Sequence, residues 1–206
     1  MKKKNKKKEL ILIDRKHSYR LLKKYMKDEK KYKLIINYND NDINNSIKAL
    51  RIKNKEKRNA FIYDTMCNIL DEKWQKYSPC HFCNNKCIAS RNNYMDKEYD
   101  GCCYSFNRKL FGKVKKEKCI HLKKNKSCDT KNISCKLFTC NYLKKNNIFS
   151  TSFDDYLLLK LFFNKKERLI IKYNFFKTRE EVLRKLSEKS KKPYLIYLLS
   201  LEFMYK

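Results

Sequence analysis

Nine cysteines fall between Cys80 and Cys140, a span of 61 residues, in a chain of 206 residues that has ten cysteines in all. Their order is Cys80-x2-Cys83-x3-Cys87-x14-Cys102-Cys103-x15-Cys119-x8-Cys128-x6-Cys135-x4-Cys140. Thiols at this density are explained by disulfide pairing, by metal ligation or by redox chemistry, and the compartment separates the first from the other two. The N-terminal "MKKKNKKKELILID" offers only Leu10 to Ile13 as an apolar run before Asp14, whereas a secretory signal needs about 7–15 apolar residues. The run "YLIYLLSLEFMY", Tyr194 to Tyr205, carries Glu202 and falls short of the roughly 20 residues that span a bilayer. The chain therefore reads as soluble and cytoplasmic, with no transmembrane segment. In a reducing compartment, dense cysteines point to metal rather than to a disulfide framework.

Zinc is satisfied by four thiolate or imidazole ligands in a tetrahedron, and a C-x2-C turn such as Cys80 to Cys83 supplies two of them at little cost in chain entropy. Iron–sulfur clusters also take four cysteines, often from compact runs. The candidate ligands are Cys80, Cys83, Cys87, Cys102, Cys103, Cys119, Cys128, Cys135 and Cys140, enough for about two sites with one thiol to spare. In extended backbone, adjacent Cys102 and Cys103 project to opposite sides, so they are expected to serve different sites or to bridge two metals. His81 and His121 lie in the same zone as secondary candidates, and His17 reads as a surface residue. The tenth cysteine, Cys67, sits on a predicted helix and reads as a small hydrophobe.

The pieces "CHFCNNKC", "GCC", "KCIHLKKNKSC" and "SCKLFTC" resemble the zinc- or iron-chelating cysteine-cluster family of small bacterial proteins, over residues 80–140 only. In that family the Cys-Cys pair follows the first cluster almost directly, whereas 14 residues intervene here. The resemblance implies metal binding and nothing catalytic. A radical enzyme built on an iron–sulfur cluster is disfavoured, because such enzymes order their ligands C-x3-C-x2-C, the reverse of Cys80, Cys83 and Cys87, and hold substrate in a large α/β barrel.

The flanks predict a mainly α fold, or α+β if "LILI" (10–13) and "LIINY" (34–38) form two short N-terminal strands. We divide the chain into a basic disordered tail (1–8), a mostly helical segment (9–79), an irregular cysteine-rich metal-binding module (80–140) and a helical segment (141–206), together one compact unit. Helical periodicity appears at "SYRLLKKYM" and "SIKALRIKNK". From Arg58 to Tyr77, the residues Ile62, Met66, Ile69, Leu70, Trp74 and Tyr77 recur at helical spacing, and Pro79 ends the helix. Ser152 with Asp155, and Thr178 with Glu181, fit capping boxes. Pro193 suits the first turn of a last helix.

The formal charge of +30 suggests a polyanionic partner. Abundant Lys, Asn, Ile, Tyr and Phe are also what AT-rich codons produce, which is the competing account of the lysine excess. The charge is spread as +14 over residues 1–60, +8 over 61–140 and +8 over 141–206. No Ser-His-Asp arrangement, Gly-rich phosphate loop or metal-hydrolase motif is present. Asp154 and Asp155 are explained by the dipole of a first helical turn. The expected function is metal binding without an identifiable catalytic site. The alternative is a zinc-stabilised nucleic-acid-binding protein whose Tyr94, Tyr104, Phe106, Lys109 and Lys113 meet bases and phosphates.

Overall fold

The structure, a computed structural model, describes residues 9–13, 16–36, 40–77, 80, 82–83, 86–87, 104–108, 114–118, 121–123, 128–140, 143–144, 146–175 and 177–189, with backbone alone at Ile36, Lys189 and the strands between 82 and 118. Described residues are mostly helical with short strands, as the sequence predicts. The chain divides into two compact units. The described residues of the first fall within Met1–Met66, Phe153–Ile170 and Val182–Lys206, and those of the second within Cys67–Ser152 and Ile171–Glu181.

The first unit opens with β1 (Glu9–Ile13), α1 (Ser18–Lys27) and β2 (Tyr32–Ile36), and the two strands pair in parallel with Ile11 opposite Leu34. Parallel strands cannot be joined by a tight turn, so α1 provides the crossover between them. Along β1 burial alternates, Ile11 and Ile13 inward and Leu10 and Leu12 outward, the two-residue period of a sheet with one covered face. Strand β1 covers the apolar run at 10–13, and β2 starts two residues before the run at 34–38 and shares residues 34–36 with it, residues 37 and 38 lying outside the described residues. Helix α2 (Asn41–Arg51) starts on Asp40, whose carboxylate accepts the amides of Asp42 at 2.9 Å and Ile43 at 3.1 Å. Its residues Ile43, Ile47 and Leu50 repeat at helical spacing and join Ile11, Ile13 and Leu22 in one apolar core.

Helix α3 (Lys55–Tyr77) starts three residues before the predicted Arg58, and the division between units falls within it, after Met66. Ile62, Met66 and Leu70 are buried as expected, whereas Tyr77 is exposed and Tyr63 is buried in its stead. In the second unit α3 leads to three ladders: β3 (Phe82–Cys83) with β4 (Lys86–Cys87), β5 (Tyr104–Arg108) with β6 (Val114–Lys118), and a single bridge of Leu122 to Cys128. The zone expected to be irregular thus contains antiparallel pairing. Helix α4 (Ile133–Leu137) follows.

The capping signal at Ser152 and Asp155 does not open a helix. Residues Phe153–Asp155 make one 3-10 turn, and α5 begins later, at Leu157 (Leu157–Phe162). The start is set from a distance: the Asp42 carboxylate accepts the Leu157 amide at 2.6 Å and the Leu158 amide at 3.0 Å. Leu157 and Leu161 then complete the core of the first unit. Helix α6 (Lys165–Tyr173) carries a reciprocal cap unread in the sequence, Asn164 with Glu167, both bonds 3.0 Å. Helix α7 (Arg179–Lys189) has the predicted one: the Thr178 amide reaches Glu181 at 2.8 Å and the Glu181 amide reaches Thr178 at 3.2 Å. The tail at 1–8 and the helix expected after Pro193 lie outside the described residues. No helix among the described residues is long and apolar enough to cross a membrane.

Asp42→Ala removes the acceptor of two helix-start amides and should lower stability by about 1–2 kcal/mol at pH 7, read by chemical denaturation. Burial raises the Asp42 pKa above its ordinary 3.8, against the opposing pull of the Leu157 and Leu158 amides. The folded state therefore holds that proton more tightly, and the stabilisation it gives is full below the unfolded pKa and fades as pH rises through the folded one. The deficit of Asp42→Ala should consequently widen as the pH falls from 7 towards 4.

Candidate metal centre

The most completely described part of the cysteine zone is residues 128–140, and three side chains anchor it within the second unit. Asn132 is fully buried. Its Oδ1 caps α4 by accepting the Cys135 amide at 2.9 Å, while its Nδ2 donates to the carbonyls of Asn174 at 2.7 Å and Lys177 at 2.8 Å. Ser134 donates to the Ile171 carbonyl and accepts the Asn174 amide at 3.1 Å. Trp74 donates its indole N–H to the Lys136 carbonyl at 2.7 Å and packs on Phe149 with ring centroids 4.4 Å apart.

Electrostatics reinforce this mount. The Lys136 side chain is only 5 % exposed and pairs with Asp71. Lys131 meets the same carboxylate at 2.9 Å, and its ammonium is held above the ordinary lysine range by that hydrogen bond and charge. A buried ammonium is tolerated only with such a partner. Cys135, within α4, and Cys140, three residues past its end, therefore sit on a segment fixed by both hydrogen bonds and charge.

Two shorter pieces hold further cysteines. Cys128 bridges Leu122, and the closure is extended by the Asp129 amide donating to the His121 carbonyl at 3.1 Å. The imidazole Nδ1 of His121 lies 3.3 Å from the Asp129 carboxylate. In the β3–β4 ladder Cys87 is opposite Phe82 and Cys83 is opposite Lys86, which doubles the backbone back between the second and third cysteines.

The described thiols fall into two groups. Cys67 is 2 % exposed and donates to the Lys131 carbonyl at 3.4 Å, the packed role the sequence suggests. Cys80 and Cys128 are exposed, and Cys135 and Cys140 are half-buried. Among the described residues no three His, Cys, Asp or Glu side chains stand close enough to hold a metal ion. Cys102, Cys103, Cys119 and His81 lie outside the described residues, as do the side chains of Cys83 and Cys87. Of the residues expected to meet nucleic acid, Tyr94, Lys109 and Lys113 lie outside them, and Tyr104 and Phe106 are described as backbone in β5. His17 precedes α1 and is exposed. The exposed Asp154 has Arg168 at 3.8 Å.

No family model, curated protein or solved structure matches this chain.

The anchoring residue missed in the sequence is Asn132, although "NIS" before a short apolar turn is an N-cap signal. Asn132→Ala should destabilise the protein by about 2–4 kcal/mol, because it leaves the Cys135 amide and the Asn174 and Lys177 carbonyls without their partner inside the fold. Thermal and chemical unfolding would measure that loss.

Proposed function

We propose that this chain is a cytoplasmic metal-binding protein whose residues 80–140 hold zinc or an iron–sulfur cluster in about two thiolate sites. One observation carries the reading: nine cysteines share 61 residues, and those with described side chains lie at or near the surface while Cys67, outside the zone, is buried. Cysteine otherwise ranks among the most buried residue types. Among the described residues the four thiols of the zone, two exposed and two half-buried, suit coordination better than packing.

The donor chemistry fits the soft metals. The repeated ligand type is thiolate, with His121 beside Cys128 as an additional nitrogen donor, a set matched to zinc or iron rather than to calcium or magnesium. Composition supports the same reading. Between residues 81 and 127 the Leu, Ile, Val and Met residues are limited to Ile88, Met95, Leu110, Val114, Ile120 and Leu122. A stretch that poor in aliphatic side chains needs a staple to become ordered, and a metal supplies one. The likeness to the cysteine-cluster family points the same way and lends no reaction.

Metal analysis of freshly purified protein should give about two site equivalents per chain, with a visible absorption band if iron–sulfur is present and none if zinc is. Cys83→Ser should reduce metal content and lower the melting temperature together, because ligand loss forfeits binding energy that is also folding energy. Cys67→Ser should keep the full metal content and cost about 1 kcal/mol, since serine retains the donor to the Lys131 carbonyl. Protein purified under reducing conditions that carries no metal would overturn the reading, as would metal lost from Cys67→Ser and kept by Cys83→Ser.

A further inference from the structure

A cleft of about 580 Å³ opens within the first unit, among α1, β2, α2 and the turn after each helix. The volume falls in the range of small-molecule sites, about 300–1,000 Å³. Its floor is the apolar core: Leu34, Ile47 and Leu50 all belong to or pack on that cluster, with Tyr25 presenting a half-buried ring beside them. Its rim is cationic. Lys53 is neutralised by Glu29 at 2.6 Å, but Arg51 and Lys33 have no carboxylate within ion-pair distance among the described residues. The cleft thus combines an aromatic and aliphatic floor with two uncompensated positive charges.

We propose that this cleft binds a phosphorylated nucleoside, with the base on the Tyr25 and Leu50 floor and the phosphate at Arg51 and Lys33. A guanidinium offers paired donors matched to phosphate oxygens, and a ring beside it offers a stacking surface open to any base. A carboxylate would pair with the guanidinium in the same fork geometry, but a hydrocarbon tail would use the ring only as apolar surface, whereas a base stacks on it. The ligand is either a free nucleotide or one unit of a single strand, which share this chemistry. The site lies wholly in the first unit and is independent of the cysteine zone.

The test uses the full chain as purified, in about 50 mM salt. Three probes are titrated calorimetrically: adenosine 5′-monophosphate, a single-stranded oligothymidylate of about ten nucleotides, and inorganic phosphate. The double variant Arg51→Ala, Lys33→Ala is compared with wild type and with Lys27→Ala, Lys30→Ala, which removes the same charge from exposed positions outside the cleft. An unchanged melting temperature confirms that each variant is folded. Binding of the monophosphate, weakened tenfold or more in the cleft variant and spared in the control, supports the proposal with a free nucleotide as ligand. Binding of the oligonucleotide alone, with the same loss and a salt slope reduced by about 0.7, the value for one phosphate contact, assigns the unit of a strand. The proposal is overturned if neither nucleotide probe binds, if phosphate alone binds as tightly as the monophosphate, or if the cleft and control variants lose affinity equally.

Discussion

The buried amide of Asn132 is the interaction on which the cysteine-bearing half of the described structure depends. One side chain starts α4 and ties it to the carbonyls of Asn174 and Lys177. A primary amide suits this position because it offers one accepting oxygen and two donors, and here each of those three has a partner. Replacing it by aspartate would keep the cap and lose both donors, leaving a charge beside two carbonyls. The Lys136–Asp71 pair and the Trp74 indole then fix the far side of the same short helix. A helix of five residues has no stability of its own, so its position comes from these polar contacts rather than from helix propensity.

The first unit relies on a comparable long-range contact. Asp42 lies 115 residues from Leu157 in sequence and supplies the cap that the local sequence was expected to provide. Two caps of α2 and α5 thus come from neighbouring carboxylates: Asp40 serves its own helix and Asp42 another. Bringing Asp42 close to Asp40 while burying it works against its ionised form, and the two amides of α5 work in favour. The raised pKa shows that burial is the larger effect. The fold accepts that cost because α5 brings Leu157 and Leu161 into the core.

Legibility followed the range of the interaction. Strands β1 and β2 were readable, with β2 shifted by two residues, because β-branched and aliphatic runs bounded by polar residues are a local signal, and the Thr178–Glu181 box was readable because its two members are three residues apart. The Ser152–Asp155 signal has the same spacing and failed, since the Asp42 carboxylate moved the helix start to Leu157. The Asn164–Glu167 box has the same three-residue spacing and was equally legible, and its Glu167 also meets Lys55 at 2.7 Å in a buried setting that the local sequence does not encode. Strand β6 gave no period-two pattern at all: "VKKEK" has one apolar residue and is paired through its backbone with Tyr104–Arg108. For the candidate centre, the ligand types and their order are legible in the sequence, whereas the grouping of thiols into sites is a tertiary property that spacing does not encode.

Charge follows a different logic from packing in this chain. Lysines such as Lys136 and Lys55 have been drawn into ion pairs with buried or half-buried carboxylates, which ties them to the fold. Others, including Arg20, Lys27, Lys30 and Lys33, are exposed with no carboxylate within ion-pair distance among the described residues. An AT-rich codon composition would raise lysine abundance but is indifferent to where a lysine points. It therefore predicts cations scattered over whatever surface is available, and it has no reason to place Arg51 and Lys33 at the mouth of a cleft floored by core side chains. A thiolate-bound metal shifts the balance further. Two zinc ions holding eight thiolates carry a net charge of about −4, which would offset roughly half of the +8 of residues 61–140. The remaining positive charge would then lie mostly on residues 1–60, the segment that contains the cleft, with the total lowered from +30 to about +26.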